Sequence, residues 1–181
     1  MKFETIEDIY VANNAIRENL LKTISDLSSE QEKLPSENGK WTLGAIVEHV
    51  AKVEDSMIRI INKLLSKAES DGKTSDGTAK ISPTFIEGAR KAGEENTKFV
   101  APESVSPKGG IAIGETIQIL KTNRENLENL KSRLEKFDGS TETFPHPSFG
   151  ELTAQDWLVL IGGHEARHTA QIKRILSAAG E

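Results

Sequence analysis

Apolar residues recur at helical spacing in four long stretches of the chain. From about Thr5 to about Lys33, Ile6, Ile9, Ile16, Leu20, Ile24 and Leu27 repeat mostly every three or four positions with charged residues between them. The segment PSENG, Pro35 to Gly39, ends this helix. A second helix is predicted to start at Thr42, an N-cap residue, with Trp41 and Ile46 placed to close a hydrophobic staple. Its stripe is Ile46, Val50, Val53, Met57, Ile60 and Leu64, and His49 falls on it. A third helix is predicted from about Ile113 to Phe137, lined by Ile113, Ile117, Leu120, Leu127, Leu130, Leu134 and Phe137 and interrupted by Asn123 and Arg124. The fourth follows Thr153, whose T-x-x-D box with Asp156 and staple pair Leu152/Trp157 mark a helix start. Trp157, Leu160, Ile161, His164, His168, Ile172 and Ile175 then share a face.

Between the second and third helices the pattern changes. ESDGKTSDGTAK is polar and glycine-bearing and reads as a mobile loop. A short helix is predicted from Thr84 to about Asn96, and APESVSPKGG reads as an irregular connection. A connection this long within a bundle often shapes a function, and the stretch from Glu69 to Gly110 is a candidate lid. No segment shows convincing period-2 alternation, so no significant sheet is expected. The expectation is an all-α four-helix bundle, a single domain over residues 1–181, with a long connection between the second and third main helices.

Composition narrows the chemistry. With 36% hydrophobic and 28% charged residues, the chain is an ordinary soluble globular sequence, somewhat rich in charge. Its net charge of −5 argues against a nucleic-acid surface, whose footprint is basic and clustered. There is no cysteine, which excludes disulfides, thiolate-ligated zinc and a thiol nucleophile within these residues. Charges throughout the first residues exclude a signal-peptide core, and no apolar run is long enough to span a membrane; a cytoplasmic protein is expected.

Only four histidines are present, and three of them fall on inward stripes. His164 and His168 are four apart on one helix, so they lie one above the other and can offer two imidazole nitrogens to one ion. A catalytic site typically takes three protein ligands plus an open position, and His49 supplies the third candidate. His146, in a proline-flanked segment, is the one left out. Three neutral imidazoles buried without partners would cost several kcal/mol, whereas one shared divalent metal satisfies all three.

GHEARH also matches H-E-x-x-H, in which Glu165 would act as the general base of a metalloprotease. None of the thirteen residues after His168 is a histidine, and no edge strand is expected to hold an extended peptide. Glu165 points about 100° away from His164 around the helix, which makes it a candidate base or outer carboxylate rather than a ligand.

GKWTLGAIVEHVAKVEDSM and HPSFGELTAQDWLVLIGGHEARHTAQIKRI resemble the two signature stretches of DinB-like proteins, with an aromatic residue, glycine, Leu-Thr, tryptophan and H-x-x-x-H in order in the second. That resemblance implies an up-down-down-up bundle holding a divalent metal on three histidines, matching His49, His164 and His168. It also implies kinship with thiol-dependent transferases and isomerases that use bacillithiol or mycothiol, and a homodimer. Tyr10, Leu21, Leu65 and Ile119, lying off the main stripes, are candidate dimer contacts.

The expected function is therefore a metal-dependent transferase acting with a low-molecular-weight thiol on a small-molecule substrate. Zinc or nickel suits an imidazole site, and a bound ion lowers the pKa of an incoming thiol. Asn123 and Arg124 are the candidate substrate-binding residues. The alternatives are a metal-dependent hydrolase of a small substrate, assisted by Glu165, and a non-catalytic metal-binding or stress-related module.

Overall fold

The computed structural model describes residues 2–94 and 99–180. Its α-helices among the described residues are α1 (Ile6–Ile24), α2 (Leu43–Ser70), α3 (Pro83–Glu94), α4 (Ile113–Lys136) and α5 (Ala154–Ala178), with a hairpin of β1 (Thr143–His146) and β2 (Gly150–Thr153) before α5. The caps explain the starts. Thr5 and Asp8 form a reciprocal capping box on α1, Thr42 accepts from Ala45 N–H on α2, and Thr153 and Asp156 box the start of α5. The Asp156 carboxylate also accepts from Ser82 N–H and Oγ–H, tying the approach to α3 to the α5 cap.

α2 packs on α5 and α4, and α1 packs on the same two helices. α1 and α2 therefore lie on one diagonal, and α4 and α5 on the other. Two apolar clusters fix the directions. One holds Ile6 and Ile9 from the start of α1, Leu64 and Leu65 from the end of α2, Leu134 from the end of α4 and Trp157 from the start of α5. The other holds Ile24, Leu43, Ile46, Ile113 and Ile175, the opposite ends of the same helices. The topology is up-down-down-up, as the resemblance implies. Because α2 and α4 are parallel neighbours, the chain must travel back along the bundle between them. α2 alone has 28 residues, about 42 Å at 1.5 Å per residue, and this sets the length of the connection.

The first helix is shorter than its apolar pattern suggests. It stops at Ile24, and Gln31–Lys33 form a separate 3-10 turn. The expected mobile loop is instead tied down. Ala79 N–H donates to Glu4 O, Ser75 N–H to Lys136 O, and Thr5/Thr78 and Thr74/Phe137 form isolated bridges. The short helix is Pro83–Glu94, and the expected end near Asn96 lies outside the described residues. In keeping with the expectation of no significant sheet, the described residues form only one short hairpin, in which β1 and β2 pair antiparallel from Thr143 with Thr153 to His146 with Gly150. Four residues per strand are too few for alternation to stand out, and Gly150, at φ 71°, starts the return strand in a conformation suited to glycine. Of the suggested dimer contacts, Tyr10 and Leu65 are core residues and Leu21 is half-buried, leaving Ile119 exposed. No described helix is long and apolar enough to cross a membrane.

α1 and α5 approach closely at Gly162. A Cβ built there would lie 2.2 Å from Asn13 Oδ1, while Asn13 Nδ2–H donates to Leu158 O at 2.9 Å. This contact brings the middle of α1 against the stretch of α5 that carries the two histidines.

Candidate metal centre

His49 enters from the first third of α2, and His164 and His168 from successive turns of α5, the helix packed against it. The three ring centroids are mutually 4.6 to 5.1 Å apart. One ligand nitrogen from each ring lies within 4.8 Å of the other two. The Nε2 atoms of His49 and His164 are 3.3 Å apart. Two nitrogens bound tetrahedrally at 2.0–2.1 Å would be separated by roughly the same distance.

Hydrogen bonds orient two of the rings. His49 Nδ1 lies 2.9 Å from Val105 O, a pure acceptor, so this nitrogen carries the proton and Nε2 presents its lone pair. His168 Nδ1–H donates to Gln171 Oε1 at 2.8 Å, which likewise leaves Nε2 for the cluster. Trp41 packs its ring 4.8 Å from that of His49. Burial is the first cause that keeps all three imidazoles neutral. His168 is pushed down to about 4 by burial and then by neighbouring His49; His164 is held well below its ordinary range by burial, His168 and His49; His49 is lowered by burial despite its bond to Val105. Neutral rings with converging lone pairs are the donor set that a divalent ion takes.

Glu165 does not face this cluster. It is 2% exposed, and its carboxylate accepts from Arg17, at 3.1 Å from Nε and by a second bond from Nη2. Arg17, itself buried, also pairs with Glu54 and donates from Nη1 to Leu120 O at 2.7 Å. One cation thus serves two carboxylates. Burial raises the Glu54 carboxyl to about 7, and Glu165 adds to the rise, against the pull of Arg17. The carboxylate expected as a base is taken up by a bundle-wide ion cluster.

Asn123 and Arg124 are not brought to the histidines either. They lie on α4, diagonally opposite α5. Asn123 Nδ2–H donates to Ala51 O at 2.9 Å and to Glu54 at 3.1 Å, because the α4 core stripe runs through position 123. Its side chain also lines a cavity of 280 Å³ between α2 and α4, with Glu48, Lys52 and Thr116. Arg124 is half-buried and pairs with Glu128 one turn along its own helix. His146 sits on β1, where its Nδ1 accepts from Ser148 and Phe149 N–H, outside the three-histidine group.

Sequence reasoning missed Arg17 and Glu54, and a signal for them was present. Ile6, Tyr10, Asn13, Arg17, Leu20 and Ile24 follow 4-3-4-3-4 spacing, and all are buried. Glu54 fits the same rhythm between Val50 and Met57 or Ile58.

The sequence pattern of the DinB superfamily matches residues 12–172. The chain is 28% identical over 158 residues to the uncharacterized protein YuaE of Bacillus subtilis (strain 168), an alignment covering 87% of this chain and 88% of that protein. Its fold is similar to the crystal structure of TT2238, described as a four-helix bundle protein, with a TM-score of 0.61 at 24% sequence identity over 94% of this chain and 99% of the other.

Proposed function

The chain belongs to the DinB superfamily, and on that premise we propose that His49, His164 and His168 hold a divalent metal, zinc or nickel, in a transferase that acts with a small thiol. The observation that carries the metal reading is the set of three neutral imidazoles with one ligand nitrogen each inside 4.8 Å. When bound, the ion supplies Lewis acidity that stabilises a thiolate at neutral pH. The chain's own residues do the rest. Val105 O and Gln171 Oε1 fix the tautomers of His49 and His168, so that binding needs no proton rearrangement at those rings. With no cysteine in the sequence, the thiol comes from a co-substrate.

The hydrolase alternative loses its candidate base, since both Glu165 oxygens accept from buried Arg17. A helical bundle with its ligands between two helices suits a small molecule better than an extended peptide. The test is a cobalt(II) titration of metal-free protein followed by a panel of low-molecular-weight thiols. Stoichiometric cobalt uptake, a thiol-dependent change in the visible spectrum and loss of both in His168→Ala are expected. A spectrum untouched by thiols, with metal-dependent cleavage of an ester or peptide, would replace the transferase by a hydrolase.

A further inference from the structure

We propose that Glu48 is a positioning residue for the histidine cluster: through the strap Val105–Gly109 it fixes the tautomer and orientation of His49. This rests on the metal reading above for its consequence, though not for its geometry.

Glu48 and His49 are neighbours on α2, so their side chains diverge by about 100° and do not meet directly. The strap connects them. It returns from α3 towards α4 across this part of α2 and makes four polar contacts with it. Val105 O accepts from His49 Nδ1–H at 2.9 Å, and Ser106 O accepts from Lys52 Nζ at 3.3 Å. Lys108 N–H and Gly109 N–H each donate, at 2.9 Å, to a different oxygen of Glu48. Lys52 also pairs with Glu48 at 2.6 Å, which closes the arrangement.

Glu48 is 2% exposed, unusual for a carboxylate one turn from a helix start. The backbone is shaped to receive it. Lys108 N–H and Gly109 N–H are successive donors turned towards one carboxylate, as in a backbone nest, and the chain then leaves through Gly109 and Gly110 with φ of 76° and 86°. Such curvature is open to glycine and strained for other residues. The carboxylate therefore holds the strap, and the strap presents Val105 O to His49. Without that acceptor either nitrogen of His49 could carry the proton, and the ring could turn. Groups that orient a metal-binding histidine through its other nitrogen typically contribute 10–100-fold to metal affinity.

The experiment uses the full chain with ¹⁵N-labelled histidine. Metal-free protein is studied by NMR to read which nitrogen of His49 is protonated, and cobalt(II) affinity is measured by competition with a chelator. In the wild type, His49 is expected as a single tautomer protonated on Nδ1. Glu48→Gln sets an amide N–H₂ against one of the two backbone donors. It is expected to give mixed His49 tautomers and roughly 10–100-fold weaker cobalt(II) binding, with helical content unchanged. Should Glu48→Gln fail to fold, Gly109→Ala loosens the same strap from its outer side. The added Cβ meets nothing within 4 Å, yet the residue is held at φ 76°, and the same two changes are expected. A single Nδ1-protonated tautomer with wild-type affinity in the folded variant overturns the role of Glu48. If the wild type takes up no cobalt(II), the metal reading falls, and the tautomer comparison in metal-free protein still decides the role of Glu48.

Discussion

Arg17 and His49 are both polar side chains enclosed by the bundle, yet their surroundings differ in kind. Around Arg17 every strong donor has an acceptor in the same chain: Glu165, Glu54 and Leu120 O, with Asn123 completing Glu54. The cluster joins all four long helices and closes on itself. At the histidines, the Nδ1 groups of His49 and His168 are used on Val105 and Gln171, while the remaining nitrogens converge on one another. One cluster has its cation built in; the other has the ligands for one. The first holds the bundle together, and the second is arranged for a guest.

Removing the built-in cation should have the largest effect. Arg17→Met leaves Glu54 and Glu165 buried without a counter-charge and is expected to lower unfolding stability by about 3–5 kcal/mol. For a chain of this size that means a melting temperature roughly 10 °C lower. Urea denaturation checks it, and an unchanged midpoint would remove the contrast.

His49→Ala should do the opposite, leaving the architecture and disabling the site. Cobalt(II) affinity is expected to fall at least about 100-fold, near 3 kcal/mol. Metal-free stability should fall by less than in Arg17→Met. Stoichiometric tight binding in this variant would show that the three rings do not act together.

The two clusters should also slope oppositely with pH in metal-free protein. His168 titrates at about 4 in the fold against an ordinary 6.5. Between those values the unfolded chain binds the extra proton, so stability is lost as pH falls. Glu54 is raised to about 7 from an ordinary 4.5. There the folded state binds the extra proton, and stability is lost as pH rises from about 4.5 to 7. Each limb is on the order of 3 kcal/mol. Chemical denaturation across pH 4–8 should show His168→Gln making the acid limb shallower, with lowered His164 and His49 carrying the remainder, and Glu54→Gln flattening the other limb. The same limb lost in both variants would contradict the assignment.

The smallest expected effect is a control. His146→Ala removes a histidine outside the group and should leave cobalt(II) affinity within about two-fold of wild type. A loss matching that of His49→Ala would bring β1 into the site.

The difference between the clusters also explains what the sequence made legible. Three of four histidines on apolar stripes stand out together, although a lone inward histidine is often only a hydrogen-bonded core residue, and H-x-x-x-H spacing pairs two of them without reference to the rest of the fold. Helix starts at Thr42 and Thr153 were readable because a cap is local chemistry. Arg17 and Glu54 look from sequence like members of a solvated face, since charge is common on amphipathic helices, and Glu165, between the two histidines, reads as a candidate base. Their burial depends on three other helices supplying partners, information no window of residues contains. The strap was hidden for a related reason. APESVSPKGG has irregular composition, and only its docking on α2 gives Glu48 and Val105 their roles. Asn123 was visible as a break in a stripe, but its partners Ala51 and Glu54 were not.

The packing of the last helix, α5, on α1 and α2 has a consequence for folding kinetics. His49 and His164 are 115 positions apart, and Arg17 and Glu165 are 148 apart. Closing such distances costs chain entropy before any contact rewards it, so high-separation contacts form slowly. α2, the strap and α4 can associate through nearer contacts, but the three-nitrogen site exists only after α5 has docked on α2. In a refolding experiment with cobalt(II) present, the visible colour should therefore lag behind the recovery of helical circular dichroism, and it would time the docking of α5.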